Sequence, residues 1–182
     1  MVTEKPLVLT GRAIVIRDAQ GQTIDSIDTD MIFHNRHLHI TDIAQMGQYA
    51  FGNLEGWMDF PERAQQGDIL IVGQNFGAGS SRQQAVDCFT ALGVQTIVGE
   101  SFGAIYKRNT INSGLPLMIV EGIMADDQPV KTGDTLEIHL ETGRILNKNT
   151  GQEILGGQPL SAVQLDIYRA GGLFEYAATL SL

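Results

Sequence analysis

Apolar positions in this chain fall in short runs bounded by glycines and acidic turns, and the spacing within each run separates strands from helices. Ala13-Ile14-Val15-Ile16 is an unbroken apolar run and predicts a buried strand; Asp18-Ala19-Gln20-Gly21 predicts a turn and Thr23-Ile24 the returning strand. Asp42 to Tyr49 predicts a short helix capped by Thr41 or Asp42. In the centre, Asp68 to Val72 predicts a strand through Ile69-Leu70-Ile71-Val72. From Arg82 onward Ala85, Val86, Phe89 and Leu92 share one helical face, with Cys88 beside them and Gly93 placed to end the helix. Val94 to Val98 reads as the next strand. Ser101 is the expected cap of a second helix carrying Phe102, Ile105 and Tyr106, which Gly114 ends before a strand over Leu115 to Val120.

Strands alternating with helices predict a parallel β/α core with right-handed crossovers. After Glu121 the pattern changes to alternating polarity: Thr135 to Leu140 and Arg144 to Asn147 flank the turn Glu141-Thr142-Gly143, Asn149-Thr150-Gly151 marks a further turn, and Leu160 to Ala170 is helical up to Gly171-Gly172. No low-complexity linker divides the chain. The expectation is one α/β domain over residues 1–182, a parallel β/α core with antiparallel β-hairpin elaborations at both ends.

Composition narrows the function. The 182 residues are 43% hydrophobic and 18% charged, which excludes a disordered chain or a coiled coil. A formal charge of −9 disfavours phosphate backbones and anionic lipid as partners, while leaving room for a small anion held by a local nest or an arginine. One cysteine, Cys88, excludes an internal disulfide and any multi-thiolate zinc or iron–sulfur site on this chain alone. No apolar run reaches membrane-spanning length, and Met1 to Pro6 lacks a signal-peptide pattern, so the cytoplasm is expected.

The most informative stretch is Phe76-Gly77-Ala78-Gly79-Ser80-Ser81-Arg82, between a predicted strand and a predicted helix. Glycines let successive N–H groups converge, a helix N-terminus adds positive potential, the serines lie at or near the cap, and Arg82 offers a fork that matches a carboxylate. The loop is not a dinucleotide fingerprint, a P-loop or a nucleophile elbow. By spacing alone it is either a turn with a cap or an anion site with a hydroxyl beside it. His34, His37 and His39 stand close together, but their irregular spacing is a poor metal pattern.

Gly73-Gln74-Asn75-Phe76-Gly77-Ala78-Gly79-Ser80-Ser81-Arg82-Gln83-Gln84-Ala85, followed by Ser101-Phe102-Gly103-Ala104-Ile105-Tyr106-Lys107-Arg108-Asn109-Thr110-Ile111-Asn112-Ser113-Gly114-Leu115, strongly resembles the small subunits of 3-isopropylmalate dehydratase. These are swivel-domain relatives of aconitase and homoaconitase. Upstream, Asp28-Thr29-Asp30-Met31-Ile32 is similar to that family's Asp-Thr-Asp element, and the likeness spans nearly the whole chain, with its core motifs in 68–120. The resemblance implies a swivelling β/β/α domain that is active only with a large subunit, in a heterodimer or heterotetramer. That partner would carry a [4Fe-4S] cluster, with no metal bound by this chain, and the substrate would be a small 2-hydroxy di- or tricarboxylate.

By the same resemblance Ser80 is the catalytic base, activated by neighbouring amides, the helix dipole and Arg82. Ser81 and Arg82 bind the substrate carboxylate, joined by Asp30 and Thr29. Asp30 would orient Arg82 or the serine loop, although an Asx-type turn cap explains it equally from sequence. Gly77, Gly79, Arg108 and Asn109 would support the loops, and Asn112 belongs to the same motif. Leu38, His39 and Ile40 occupy the substrate-specificity loop: His39 stands where an Arg would meet an extra carboxylate, and Ile40 offers apolar surface. Three departures stand out: Gln83 replaces an acid, Gln84 corresponds to a His in aconitase-like chains, and Gly103 replaces Ala. The implied reaction interconverts 2- and 3-isopropylmalate by dehydration and rehydration, in leucine biosynthesis. The alternatives are a dehydratase for another substituted malate such as dimethylmalate, homoaconitase, or a non-catalytic anion-binding module.

Overall fold

The computed structural model describes residues 5–127 and 130–180. In chain order its elements are β1 (Val8–Val15), three single-turn helices α1 (Thr29–Ile32), α2 (Ile43–Met46) and α3 (Phe60–Arg63), then β2 (Ile69–Val72), α4 (Gln84–Ala91), β3 (Thr96–Gly99), α5 (Ala104–Asn112) and β4 (Leu117–Ile119). There follow β5 (Thr135–His139), β6 (Ile145–Asn147), β7 (Glu153–Ile154), α6 (Ala162–Ala170) and α7 (Leu173–Leu180). The strands form one mixed sheet in the order β4-β3-β2-β1-β5-β6-β7. β1 is the switch: Ala13 to Val15 pair in parallel with Ile69 to Ile71, and Val8 to Arg12 pair antiparallel with Thr135 to His139. The expected parallel β/α core and antiparallel hairpin additions therefore meet along a single strand.

Strands buried on both faces read as continuous apolar runs. In β2, Leu70 and Val72 face one core, shared with Phe33, Phe51, Phe60, Phe76 and Phe89, whereas Ile69 and Ile71 face the other, shared with Leu136, Ile138 and Tyr168. α4, α5 and the long β1–β2 connection all cover the first face; α6 covers the second. Asp42 caps α2 through its side chain, and Ser161 with Gln164 forms a capping box on α6, which ends at Gly171 in the left-handed region.

Several expectations need correcting. α4 begins at Gln84, with Gln83 as its N-cap, so Ser80 and Ser81 lie in the loop ahead of the helix and cap nothing. α5 begins after Gly103, leaving Phe102 as a bridge partner of Phe76 and Ser101 as an acceptor from the Asn75 amide at 2.8 Å. Thr23 makes only an isolated bridge to Arg17. β7 and α7 had no counterpart in the predicted pattern; α7 follows the Gly171-Gly172 stop and contains no buried residue.

Candidate functional site

The site lies beyond the carboxyl ends of parallel strands β1, β2 and β3, where open α/β sheets place ligands. Three segments leaving those ends are laced together. Asp28 bridges Ala78 in parallel, Gly77 N donates to Ile27 O at 2.8 Å, and Thr29 N donates to Ala78 O at 3.0 Å. On the other side Phe76 N donates to Ser101 O at 3.1 Å and Gly103 N to Phe76 O at 2.9 Å. The Phe76 ring anchors the loop in the core, edge-on to Phe51, Phe102 and Tyr106.

Two glycines are required by close approach. Gly77 has φ +75°, and a Cβ there would overlap the Tyr106 ring; a Cβ on Gly103 would lie 2.6 Å from Gly77 O. The departure at Gly103 thus sits where the second motif presses against the first. Gly79 has φ +90° with ordinary space around it, so its constraint is conformational.

Beyond Gly79 the chain forms an exposed lip. Ser80 and Ser81 are both exposed, and the amides of Gly79, Ser80, Ser81 and Arg82 have no protein acceptor among the described residues. Ser80 Oγ lies 3.5 Å from Thr29 Oγ1, which donates to the Ser80 carbonyl at 3.0 Å. Thr29 is buried and its hydroxyl is engaged on the Ser80 carbonyl, which ties it to the serine loop. Ser81 Oγ accepts from Asn109 Nδ2 at 3.0 Å. Arg108, expected to brace the loops with Asn109, is exposed, and its side chain makes no hydrogen bond or ion pair among the described residues. The helical period points its neighbour Asn109 at the serine loop instead.

Arg82 joins the two motifs. Its Nη1 donates to Asp30 Oδ1 at 2.6 Å and to the Phe33 carbonyl at 3.0 Å, while Nη2 and Nε have no partner among the described residues. Asp30 also accepts from Asn35 N at 3.0 Å and, through Oδ2, from Asn53 Nδ2 at 3.0 Å. The Arg82 hydrogen bond holds the Asp30 carboxyl below the usual carboxylate range; burial opposes the shift and the Asn35 amide adds to it. Capping of α1 falls to Asp28, whose Oδ1 accepts from Met31 N, leaving Asp30 for the arginine.

The 34–41 segment continues from Asp30. His37 stacks on Tyr49 at 4.0 Å and 21°, and burial, reinforced by Arg36, His34 and His39, lowers its pKa. His39 is exposed, its Nδ1 beside Arg36 O at 3.1 Å. Ile40 packs partly on the main core, so the exposed apolar surface of this loop is Leu38. Gln84 Nε2 ties the loop to α4 by donating to Leu38 O at 3.3 Å.

Asn53 and the Phe33 carbonyl were not legible from sequence, and Gln83 and Gln84 stood out only as departures from the family motif, without their partners. Asn53 carries no local motif and reaches Asp30 across 23 residues. Among the described residues no group of three or more His, Cys, Asp or Glu is arranged to hold a metal, and no helix is long and apolar enough to cross a membrane. Cys88 is fully buried, and burial pushes its thiol pKa up, so the donor set of this chain does not fit an iron–sulfur cluster.

Comparison with known proteins gives a consistent result. Residues 22–122 match the family model of the aconitase C-terminal domain. The chain is 41% identical over 170 residues to a 3-isopropylmalate dehydratase small subunit of Pyrobaculum calidifontis, covering 93% of this chain and 97% of that protein. It is also 41% identical over 152 residues to an isopropylmalate/citramalate isomerase small subunit of Methanocaldococcus jannaschii, covering 84% and 87%. A crystal structure of 3-isopropylmalate dehydratase from the latter organism superposes with a TM-score of 0.82 at 30% identity, covering 96% of this chain and 95% of that one.

Proposed function

The chain belongs to the family of 3-isopropylmalate dehydratase small subunits, built on the aconitase C-terminal domain, and from that premise we propose that its serine lip is half of a hydro-lyase active site. As such a small subunit it takes part in the interconversion of 2- and 3-isopropylmalate by dehydration and rehydration, in leucine biosynthesis. We read residues 1–182 as one swivel domain with its core in 68–120, working in the cytoplasm and active only when a large subunit covers the lip. That subunit would hold the cluster for which this chain lacks thiolates; when bound, the cluster supplies a Lewis acid for the substrate hydroxyl.

In this reading Ser80 Oγ takes the proton from the carbon α to a carboxylate. The C–H pair becomes the C=C bond, hydroxide leaves from the adjacent carbon, and the two departing pieces sum to one water. Adding water back in the opposite sense gives the isomer with no net redox change. Serine is a weak base, so the site must favour its alkoxide; the unused amides of residues 79–82 and the half-buried Arg82 cation provide positive potential there. Arg82 binds a substrate carboxylate through Nη2 and Nε while Asp30 holds Nη1, and Ser81 adds a hydroxyl. Leu38 and His39 face the variable substituent; the exposed apolar surface of Leu38 suits a compact alkyl group.

The observation that carries this reading is the 2.6 Å contact between Arg82 and Asp30, which joins motifs 52 residues apart around an exposed serine. The test is the reconstituted pair of subunits. Ser80→Ala is expected to abolish turnover while leaving assembly intact by analytical ultracentrifugation; full activity in that variant overturns the base assignment. Ligand binding by this chain alone, with no activity in the complex, would instead support a binding module. A panel of isopropyl-, methyl- and carboxyl-substituted malates reads the loop, and an unchanged preference in His39→Arg removes His39 from specificity.

A further inference from the structure

The residues on either side of Arg82 are stapled to one face of α5. Asn109 Nδ2 donates to Ser81 Oγ at 3.0 Å, and Gln83 Nε2 donates to Ser113 Oγ at 2.6 Å and to Asp87 Oδ1 at 2.9 Å. Ser113 Oγ donates its own proton to the Asn109 carbonyl at 2.9 Å, joining the two staples one helical turn apart. The bonding is saturated: one carboxamide nitrogen has two hydrogens, and here they reach two acceptors. Between the staples the Arg82 side chain runs to Asp30 and the Phe33 carbonyl. Its guanidinium is held from one side and its backbone from the other.

We propose that Gln83 is a positioning residue for Arg82, and that position 83 requires a neutral donor because Asp87 occupies the next turn of α4. The inference rests on the reading of Arg82 as the ligand of the substrate carboxylate. Asp87 is half-buried, and desolvation raises its pKa while the bond from Gln83 opposes the rise. The other groups around it offer no positive charge. Cys88 and Tyr106 are buried and neutral, and both have raised pKa values. Glu175 of α7 lines a cavity of about 480 Å³ whose wall also includes Gln83, Asp87, Asn109 and Ser113 and no Lys or Arg. A carboxylate at position 83 would stand at hydrogen-bond distance from Asp87, and two carboxyls so placed share one proton.

The test uses the full chain assembled with its large subunit. Gln83→Ala is expected to raise KM roughly tenfold with little change in kcat, because Arg82 loses its placement and the base does not. Gln83→Glu is expected to keep a near-normal KM at acid pH, where the carboxyl pair retains its proton, and to lose affinity as pH rises and the pair ionises. Adding Asp87→Asn to that variant restores a donor between the two positions and should return the wild-type pH profile. In the full-length small subunit alone, the Asp87 carboxyl carbon followed by NMR should titrate higher in Gln83→Glu than in wild type, which reads the pairing without turnover.

A wild-type KM in Gln83→Ala, or a Gln83→Glu profile parallel to wild type, overturns the positioning role. Arg82→Lys separates the two levels. If it raises KM while the Gln83 variants do not, the staple fails and the carboxylate ligand stands. An unchanged KM in Arg82→Lys removes the reading on which the staple rests.

Discussion

Two Arg–Asp pairs in this molecule use similar chemistry to different ends. Arg12 and Asp68 join β1 to the start of β2: Nε and Nη2 reach the two carboxylate oxygens, each at 2.9 Å, Nη2 also reaches Arg63 O, and Asp68 Oδ2 accepts from Gln65 N at 2.6 Å. Asp68 is 1% exposed and both its oxygens are occupied. Arg82 and Asp30 meet at a single nitrogen, 15% and 33% exposed, and leave the far edge of the guanidinium without a protein partner among the described residues. A saturated pair fixes two elements; a pair with donors left over fixes itself and still has something to offer a ligand.

The largest expected effect comes from breaking the saturated pair. Asp68→Ala leaves the Gln65 amide and part of Arg12 without partners and should cost about 3 kcal/mol in urea unfolding, the low end for a buried pair because Arg12 reaches water. The serine lip should be untouched, so kcat in the assembled enzyme should hold; a stability loss under 1 kcal/mol, on the same scale, would make the pair an ordinary surface one.

At the open pair the effect moves from stability to affinity. Arg82→Lys replaces a fork by a point charge and should weaken substrate binding by about 2 kcal/mol, roughly 30-fold in KM, with little change in denaturant midpoint. Asp30→Asn keeps the shape and loses the charge, and about 1 kcal/mol, roughly fivefold in KM, is expected from calorimetric or kinetic titration. The smallest effects are set by pH. The Asp30 carboxyl is depressed, so its contribution is present above the ordinary carboxylate range and is lost as pH falls through the lower folded value. His37 is also depressed: its neutral form is favoured, so the loop should be intact above the ordinary histidine pKa and should loosen as pH falls through the folded value. Amide hydrogen exchange over residues 34–41 reads this, and protection independent of pH would remove His37 from the clasp.

Much of this comparison could be anticipated. The apolar runs through Ile69 to Val72 and Thr96 to Val98 locate buried strands because both faces of a parallel strand are covered. The serine loop stands out because Gly77 and Gly79 adopt positive φ, which few other residues tolerate. The start of α4 was misplaced because Ser80 and Ser81 suit a helix cap by residue type, while the chain turns them outward to meet Thr29 and Asn109. Arg108 and Asn109 were indistinguishable in the motif, and only the phase of α5 sends one to the loop and the other to water.

The residue order alone determined the buried strands and the main helices of the β/α core, and that an arginine and two serines share a glycine-rich loop, since periodicity and turn chemistry are local properties. Tertiary structure decided which arginine is saturated and which is left with open donors. Partner choice depends on groups 23 to 56 residues away, such as Asn53 for Asp30 and Asp68 for Arg12, brought into reach only when β1 pairs with β2 and the connections close over one face of the sheet.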